Sequence, residues 1–270
     1  MAAYHLGLIG AGNMAEAIVR GALAAGVLPP GNISVGDPSA DRRRLFADDL
    51  GVTALDDNAA VVDRSDIVVL AVKPQLVDDV LSSVGPMLGS GKLLVSIAAG
   101  VKIERLACGC ADGARIIRTM PNTPVLVGRG MVAVSRGPAA GDDDTRRVRE
   151  LFGACAVVIE VPESKMDAVT AVSGSGPAYF FLLVEALIEA GVAAGLARDE
   201  AVTLAETTFA GAAELLTSPT SVGAAELRRR VTSPGGTTAA AIASFEADDF
   251  PGMVARAVRA AADRSRELGG

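Results

Sequence analysis

The chain has 270 residues, half of them apolar, with a formal net charge of -7 and a pI near 4.9. This hydrophobicity excludes a disordered chain, which needs few apolar residues and a high net charge. The acidic balance, the absence of Trp and an aromatic content of 3% argue against a general nucleic-acid binder. We therefore expect no nucleic-acid partner.

Nothing in the sequence indicates a targeting segment or a membrane partner. The longest nearly apolar stretch, residues 178–197, contains two glutamates and is interpreted as a buried helix rather than a membrane span. The spacing of Cys108, Cys110 and Cys155 matches neither a zinc site nor a redox motif, so free thiols are expected. Free thiols are typical of a reducing cytosol, so we expect a cytoplasmic protein. Because His5 is the only histidine, we expect neither a histidine triad nor a histidine-rich metal site.

Short apolar or β-branched runs alternate with helical patterns over the first 160 residues. Several runs are continuously apolar, most clearly residues 67–72, which is typical of strands in a parallel sheet covered by helices. The alternation predicts a doubly wound α/β domain. Strands are predicted at 5–9, 33–37, 52–54, 67–72, 93–97, 115–119, 131–135 and 157–160, with helices that include 14–25, 41–50 and 142–152.

The pattern changes after Pro162, where only helices are predicted. This change places a boundary near residues 161–163 and divides the chain into an α/β domain, 1–161, and an all-α domain, 162–270. The predicted helices of the second half are 178–194, 198–217, 222–231, 237–245 and 252–268.

A glycine-rich turn follows the first predicted strand and opens the first helix. It has the G-x-G-x-x-A form of the dinucleotide fingerprint, with Gly10, Gly12 and Ala15 at the specified positions. Gly10 permits the tight turn, Gly12 lets the backbone approach a pyrophosphate, and the helix N-terminus attracts the anion. Together with the second strand that ends in Asp37, this context predicts a Rossmann-type nucleotide site.

Asp37 stands where a carboxylate accepts hydrogen bonds from the adenosine ribose hydroxyls and repels a 2′-phosphate, which favours NADH. Ser39 and the run Arg42–Arg44 follow at once and could hold that phosphate, or could form a solvated helix face. The choice between NADPH and NADH therefore stays open at this point.

Five further motifs accompany the glycine turn, and the last two of them are far more specific than it. They are AVKP at 71–74, SIAAG at 96–100, MPNTP at 120–124, SGSGPAY at 173–179 and TSPGGTT at 232–238. With the glycine turn, they occur in order from Gly7 to about Leu268, and over this span the chain closely resembles the Δ1-pyrroline-5-carboxylate reductase family.

The resemblance implies that NADPH or NADH reduces 1-pyrroline-5-carboxylate to L-proline, the last step of proline biosynthesis. It also implies an α/β Rossmann-type N-terminal domain and an all-α C-terminal dimerisation domain. Homodimers are expected, joined in the family into a decamer of five dimers. The many Ala and Gly residues of the second half suit close helix packing across subunits, with both chains contributing to each active site.

On the substrate side, the resemblance assigns binding to Glu163, Thr237 and Thr238, and the loop before Thr237 adds Ser233 and Gly236 as candidates. The TSPGGTT motif is itself a predicted loop that runs into a helix near Thr237, where free N–H groups and hydroxyls suit a small carboxylate. The alternative is that Ser233 and Thr237 are ordinary N-caps. Glu163 is expected on the ring-nitrogen side, where a carboxylate favours the iminium. Thr238 is the candidate catalytic residue, since it could pass a proton from water.

On the cofactor side, the resemblance assigns the pyrophosphate turn and the nicotinamide half. The pyrophosphate set is Gly10, Gly12, Asn13 and Met14, and the nicotinamide set is Asn58, Val72, Lys73 and Ala99. Asp37 and Pro38, at the end of the second predicted strand, are added as cofactor-binding candidates from their position and not from the resemblance. Two residues depart from the family pattern. Asp37 replaces a small hydroxyl residue, and Arg230 stands where some relatives carry a cofactor-contacting Asn, so that role is not transferred.

Two other functions stay open from the residues. A related Rossmann-type imine or β-hydroxy acid reductase would keep the glycine turn, and Lys165 could then be its catalytic lysine, but the PGGTT loop would be unexplained. A non-catalytic NAD(P)-binding regulator would need the nucleotide site without that loop.

Overall fold

All eight predicted strands are present and form one sheet in the computed structural model, which describes residues 4–269. The strands are β1 (Leu6–Ile9), β2 (Ile33–Gly36), β3 (Thr53–Leu55), β4 (Ile67–Leu70), β5 (Leu93–Ser96), β6 (Arg115–Pro121), β7 (Gly130–Arg136) and β8 (Ala156–Glu160). Their order in the sheet is β3-β2-β1-β4-β5-β6-β7-β8. The α/β expectation is confirmed.

The sheet reverses its winding direction between β1 and β4. β1 lies between β2 and β4 and runs parallel to both, with Leu6 opposite Ile33 on one side and Ile67 on the other. The chain places β2 on one side of β1 and β4 on the other. The connections that follow β1 and β2 therefore diverge beyond the carboxyl end of β1. A crevice opens at such a point, and ligands of doubly wound sheets bind there.

One strand departs from the expected parallel sheet, since β7 pairs antiparallel to β6. The reason is the length of the connection between them. Only residues 122–129 intervene, and they form a tight 3₁₀ segment over Thr123–Val127. A connection this short joins antiparallel neighbours, whereas parallel neighbours need a crossover of a dozen residues or more.

Helices cover both faces of the sheet. They are α1 (Asn13–Ala24), α2 (Ala40–Asp48), α3 (Asn58–Asp63), α4 (Val77–Val84), α5 (Ile103–Cys108), α6 (Asp142–Gly153) and α7 (Met166–Val169). One apolar cluster joins the sheet to α1, α2 and α6 through Ile18, Phe46 and Phe152. A second cluster joins the opposite face to α4 and α5 through Leu81 and Leu106. Burial on both faces explains why the central strands are continuously apolar.

The compact units do not divide at the predicted boundary between residues 161 and 162. One unit comprises residues 4–175 and 260–269, and the other is Gly176–Arg259. Hydrogen bonds explain the difference, because Ser265 Oγ donates to Asp167 Oδ1 at 2.7 Å and Asn122 Nδ2 donates to the Ser173 carbonyl at 3.2 Å. These bonds join the end of the last helix to residues 163–175, and those residues to the segment that follows β6.

The second unit is helical, as predicted. The helices are α8 (Gly176–Ala193), α9 (Arg198–Thr217), α10 (Ala224–Arg230), α11 (Thr237–Ala247) and α12 (Phe250–Gly269), of which residues 260–269 belong to the α/β unit. α8 packs on α9 through Val184, Ile188, Ala201 and Ala205. Gly191 allows the close approach, since a Cβ there would lie 3.3 Å from the Ala201 Cβ.

Much of α8 is exposed in the single chain, where the sequence predicts a buried helix. Phe181 is 59% exposed and Leu182 is 66% exposed, and only a narrow stripe faces α9. By length and composition alone, the helical run Glu163–Ala193 could also cross a membrane. Exposed apolar surface on this scale marks an interaction surface.

Candidate functional site

The turn after β1 has the backbone of a phosphate-binding loop. Gly10 has a φ of +99°, and a Cβ on it would lie 2.6 Å from the Ala71 carbonyl oxygen, so only glycine fits. Gly12 is the N-cap of α1 without a capping side chain, and a Cβ there would meet nothing within 4 Å. The first N–H groups of α1 therefore face open space, where an anion is favoured.

Asp37 directly follows β2 and closes the same turn from the other side. Its Oδ2 accepts the N–H of Ala11 at 2.7 Å, and its Oδ1 accepts the N–H of Ser39 at 2.8 Å. The Gly10 N–H donates to the Gly36 carbonyl at 2.7 Å. These bonds hold the ends of β1 and β2 together with the carboxylate between them.

A cavity of about 550 Å³ lies at the carboxyl ends of β1, β2 and β4. Seven of the predicted cofactor residues line it, namely Gly10, Gly12, Asp37, Pro38, Asn58, Val72 and Lys73. Asn13, Met14 and Ala99 are outside this lining: the first two lie in the first turn of α1, and Ala99 follows β5. The glycine cradle, the open helix N-terminus and the position at the winding reversal fit a nicotinamide dinucleotide. The role of each residue stays a prediction.

The cavity also contains residues that the motifs did not indicate. Asp56 follows the end of β3, and Asp79 and Leu76 come from the segment after β4. Asp56 could have been found from its place just after a strand, because the carboxyl ends of parallel strands meet at one edge. Gly36 also lines the cavity and was not indicated by the motifs. A Cβ at this position would lie 2.6 Å from Asn58 Oδ1 and would displace that amide.

Glu163 lies in an ion-pair cluster within the α/β unit. Its Oε1 accepts the N–H of Ile103 at 2.7 Å and a guanidinium N–H of Arg118 at 3.0 Å. The Arg118 side chain is only 5% exposed, and its second terminal nitrogen lies 3.9 Å from Asp167 Oδ1. Asp167 in turn accepts from Ser265 Oγ. The substrate-binding role of Glu163 stays a prediction, and the geometry gives this carboxylate a structural partner that the motif did not indicate.

The TSPGGTT loop leads into α11 in the helical unit, as the sequence predicts. Gly235 has a φ of +73°, and the Gly236 N–H donates to the Ser233 carbonyl at 3.1 Å. Gly236 is the N-cap, and no side chain caps the helix, so Ser233 and Thr237 do not act as ordinary N-caps. A Cβ on Gly236 would lie 2.9 Å from Ser233 Oγ, which explains the glycine.

This loop therefore brings Ser233, Gly236, Thr237 and Thr238 to one helix end with free N–H groups and hydroxyls beside them. α11 runs for 11 residues, long enough for its dipole to favour an anion at that end. A small carboxylate suits this arrangement.

The three cysteines are free thiols, as predicted. Burial raises the pKa of Cys110 to about 11 and also raises that of Cys155, so neither is a reactive thiolate at neutral pH. Within residues 4–269, no group of three or more His, Cys, Asp or Glu residues is placed to hold a metal ion.

Comparisons with known proteins match both parts of the chain. Residues 163–268 match the family model described as "Pyrroline-5-carboxylate reductase dimerisation", and residues 5–100 match "NADP oxidoreductase coenzyme F420-dependent". A pyrroline-5-carboxylate reductase from Glycine max is 48% identical over 265 residues, which cover 98% of this chain and 96% of that protein.

Solved structures of the same family are similar to this chain over nearly its whole length. A pyrroline-5-carboxylate reductase from Coxiella burnetii is 36% identical, with a TM-score of 0.91 and complete coverage of both chains. A pyrroline carboxylate reductase from Plasmodium falciparum with NADP bound is 34% identical, with a TM-score of 0.87 over 99% of this chain and 98% of that chain.

The Arg118 cluster generates a stability prediction. Arg118→Met leaves the carboxylates of Glu163 and Asp167 without their cation, and because both are partly exposed and keep one other donor each, we expect a loss of about 1–3 kcal/mol, below that of a fully buried pair. Arg105→Met is the matched control, because Arg105 pairs at 2.7 Å with a largely exposed Asp78. The control should lose less than about 1 kcal/mol. Urea unfolding at equal protein concentration measures both, and equal losses would show that the cluster contributes no more than a surface pair.

Proposed function

The chain belongs to the pyrroline-5-carboxylate reductase family, and on that premise we propose that it reduces 1-pyrroline-5-carboxylate to L-proline with NADPH or NADH, the last step of proline biosynthesis. The observation that carries the proposal is that one chain holds both a dinucleotide cavity and the uncapped TSPGGTT helix end. A β-hydroxy acid reductase or a nucleotide-binding regulator requires only the first.

The reaction adds a hydride to the carbon of a C=N bond and a proton to its nitrogen. The nicotinamide cofactor supplies the hydride when bound. The protonated iminium accepts hydride more readily than the neutral imine, because its carbon carries more positive charge. The protein's main tasks are to bind both reactants in a reactive orientation and to manage one proton.

On the nucleotide side, groups of this chain bind the cofactor and orient its nicotinamide. The N–H groups at the start of α1 and the open face at Gly12 receive the pyrophosphate. Asp37 and Pro38 receive the adenosine ribose, and Asn58, Val72 and Lys73 line the remainder of the cavity. Because Pro74 begins a 3₁₀ turn directly after Lys73, the backbone leaves β4 in a defined direction.

On the substrate side, the N–H groups of α11 and the hydroxyls of Ser233 and Thr237 bind the carboxylate. Thr238 hydrogen-bonds the substrate and passes a proton from water to the ring nitrogen when the neutral imine binds. Glu163 fits this set less well than the loop, since Arg118 already pairs with its carboxylate. No histidine is available as a general acid, because His5 belongs to the segment before β1.

The chain is a homo-oligomer through its helical half. The dimerisation-family match over residues 163–268 and the exposed apolar side chains of α8 support this assembly. We propose a homodimer as the basic unit, with a decamer of five dimers as the larger form. Dimer contacts rather than a bilayer would then cover α8, and the net charge of -7 fits a cytoplasmic enzyme without a nucleic-acid partner.

Turnover should depend on the cyclic imine. We expect the purified protein to oxidise NADPH or NADH when 1-pyrroline-5-carboxylate is present and to leave both unoxidised without it. The measurement is the loss of nicotinamide absorbance, with L-proline identified as the product. Rapid turnover of a β-hydroxy acid and none of the imine would contradict the proposed reaction.

Thr238→Ala should lower kcat/KM for the imine and leave the affinity for the nucleotide nearly unchanged. Removal of one hydrogen bond to a charged or polar ligand costs roughly 1.5–3 kcal/mol, which lowers kcat/KM for the imine about ten- to a hundredfold. Thr238→Ser, which keeps the hydroxyl, should retain most of the activity. Steady-state kinetics and nucleotide binding are compared for both variants, and equal damage to imine turnover and nucleotide affinity in Thr238→Ala would argue against this assignment.

Assembly should depend on the apolar face of α8. Light scattering of the active enzyme should give the mass of at least two chains, and Leu182→Asp should lower it, because Leu182 is 66% exposed in the single chain. Glu206→Ala on α9 serves as the control for a surface change in the same unit. An active sample with the mass of one chain would rule out the proposed dimer.

A further inference from the structure

We propose that this chain selects NADH over NADPH and that the Asp37 carboxylate makes the selection; this rests on the proposed function. The two cofactors differ only at the adenosine ribose, where NADPH carries a 2′-phosphate and NADH carries a 2′-hydroxyl. Selection therefore depends on whether the protein offers acceptors or donors at that position.

Asp37 offers acceptors only. Each of its oxygens receives one backbone N–H, from Ala11 and from Ser39, and each keeps lone-pair capacity for a further hydrogen bond. The two hydroxyls of an unmodified ribose can donate to this carboxylate. A 2′-phosphate cannot, and its negative charge would meet the carboxylate at short range.

The carboxylate is also held in place. Its two donors come from different segments, the turn after β1 and the start of α2, so rotation away from the cavity would break a hydrogen bond on either side. Arg43 donates to the carbonyls of Asp37 and Pro38 at 2.7 and 2.9 Å and holds the backbone of the same two residues. The Asp37 carboxylate could move aside for a 2′-phosphate only if these hydrogen bonds were broken.

The three arginines that could hold a 2′-phosphate are already engaged. Arg42 pairs with Glu16 at 2.8 Å and donates to the Ala11 carbonyl, and Arg44 pairs with Asp41 at 2.6 Å. Burial alone would raise the pKa of Glu16, but hydrogen bonds from Arg42 and Arg20 outweigh it and lower the pKa. Glu16 therefore stays ionised and retains Arg42 throughout the neutral range.

The rest of the cavity is no better suited to an additional dianion. Its lining contains Asp37, Asp56 and Asp79 but only one cation, Lys73, which follows β4 rather than β2. A solved relative carries NADP, whereas the selection in this chain depends on the carboxylate at its own β2 end.

The test is the binding of each cofactor in the absence of imine, followed by nicotinamide fluorescence on the full-length protein. We expect the dissociation constant of wild-type protein for NADPH to exceed that for NADH by about tenfold or more. Asp37→Ser should shift the ratio of the two constants by about tenfold or more toward NADPH. Asp37→Asn keeps the size and should shift the ratio in the same direction.

Asp48→Ser is the matched control. It removes one carboxylate from the exposed end of α2, outside the cavity, and should change the ratio by less than about twofold, because screening weakens distant surface charges. Equal or tighter binding of NADPH by the wild-type protein would overturn the inference. An unchanged ratio in Asp37→Ser and Asp37→Asn would overturn it as well.

The readout separates this inference from the proposed reaction. A protein that binds NADH selectively but reduces no imine would contradict the reaction and support the selection. A protein that reduces the imine with equal kcat/KM for both cofactors, and binds both equally, would support the reaction and contradict the selection.

Discussion

The hydrogen bond between the Ala11 N–H and the Asp37 carboxylate joins the two strand ends on which the nucleotide site depends. β1 and β2 run parallel, and their following segments diverge, one into α1 and the other into α2. Without a link across the gap, the glycine turn and the end of β2 would be separate loops. A second bond joins the Gly10 N–H to the Gly36 carbonyl, and the positive φ of Gly10, together with the clash that a Cβ would make with the Ala71 carbonyl, explains the glycine at this position.

A different constraint governs the helical half. Its buried apolar side chains within the single chain are few, confined to a stripe of small and medium residues between α8 and α9. A unit of this size needs a larger core to be stable alone. The large exposed side chains around that stripe supply the missing apolar area, and a second copy of the chain is the partner that the family match provides. We therefore expect assembly to stabilise this half.

The sequence predicted most of the elements because their signals are local. Continuous apolar runs mark β1, β4 and β5, and the glycine turn and the TSPGGTT loop are each contained in a few consecutive residues. The departures come from contacts between distant residues. The antiparallel β7 depends on which strand it meets, and the bond between Asp167 and Ser265 moves the division of the units past residue 161. The partner of Glu163 is Arg118, 45 positions earlier, and no spacing rule connects them. The exposure of α8 escaped prediction because an apolar helix buried by its own chain and one buried by a second chain have the same composition.

The most direct test of the account is a crystal structure with NADH and L-proline bound together, since a reduced cofactor and a reduced product cannot react. We expect the adenosine ribose hydroxyls to lie within hydrogen-bond distance of the Asp37 carboxylate. We also expect the proline carboxylate to lie on the N–H groups at the start of α11, beside Ser233 and Thr237. A ribose turned away from Asp37 toward Arg43, or a proline carboxylate bound elsewhere than at this helix end, would contradict it.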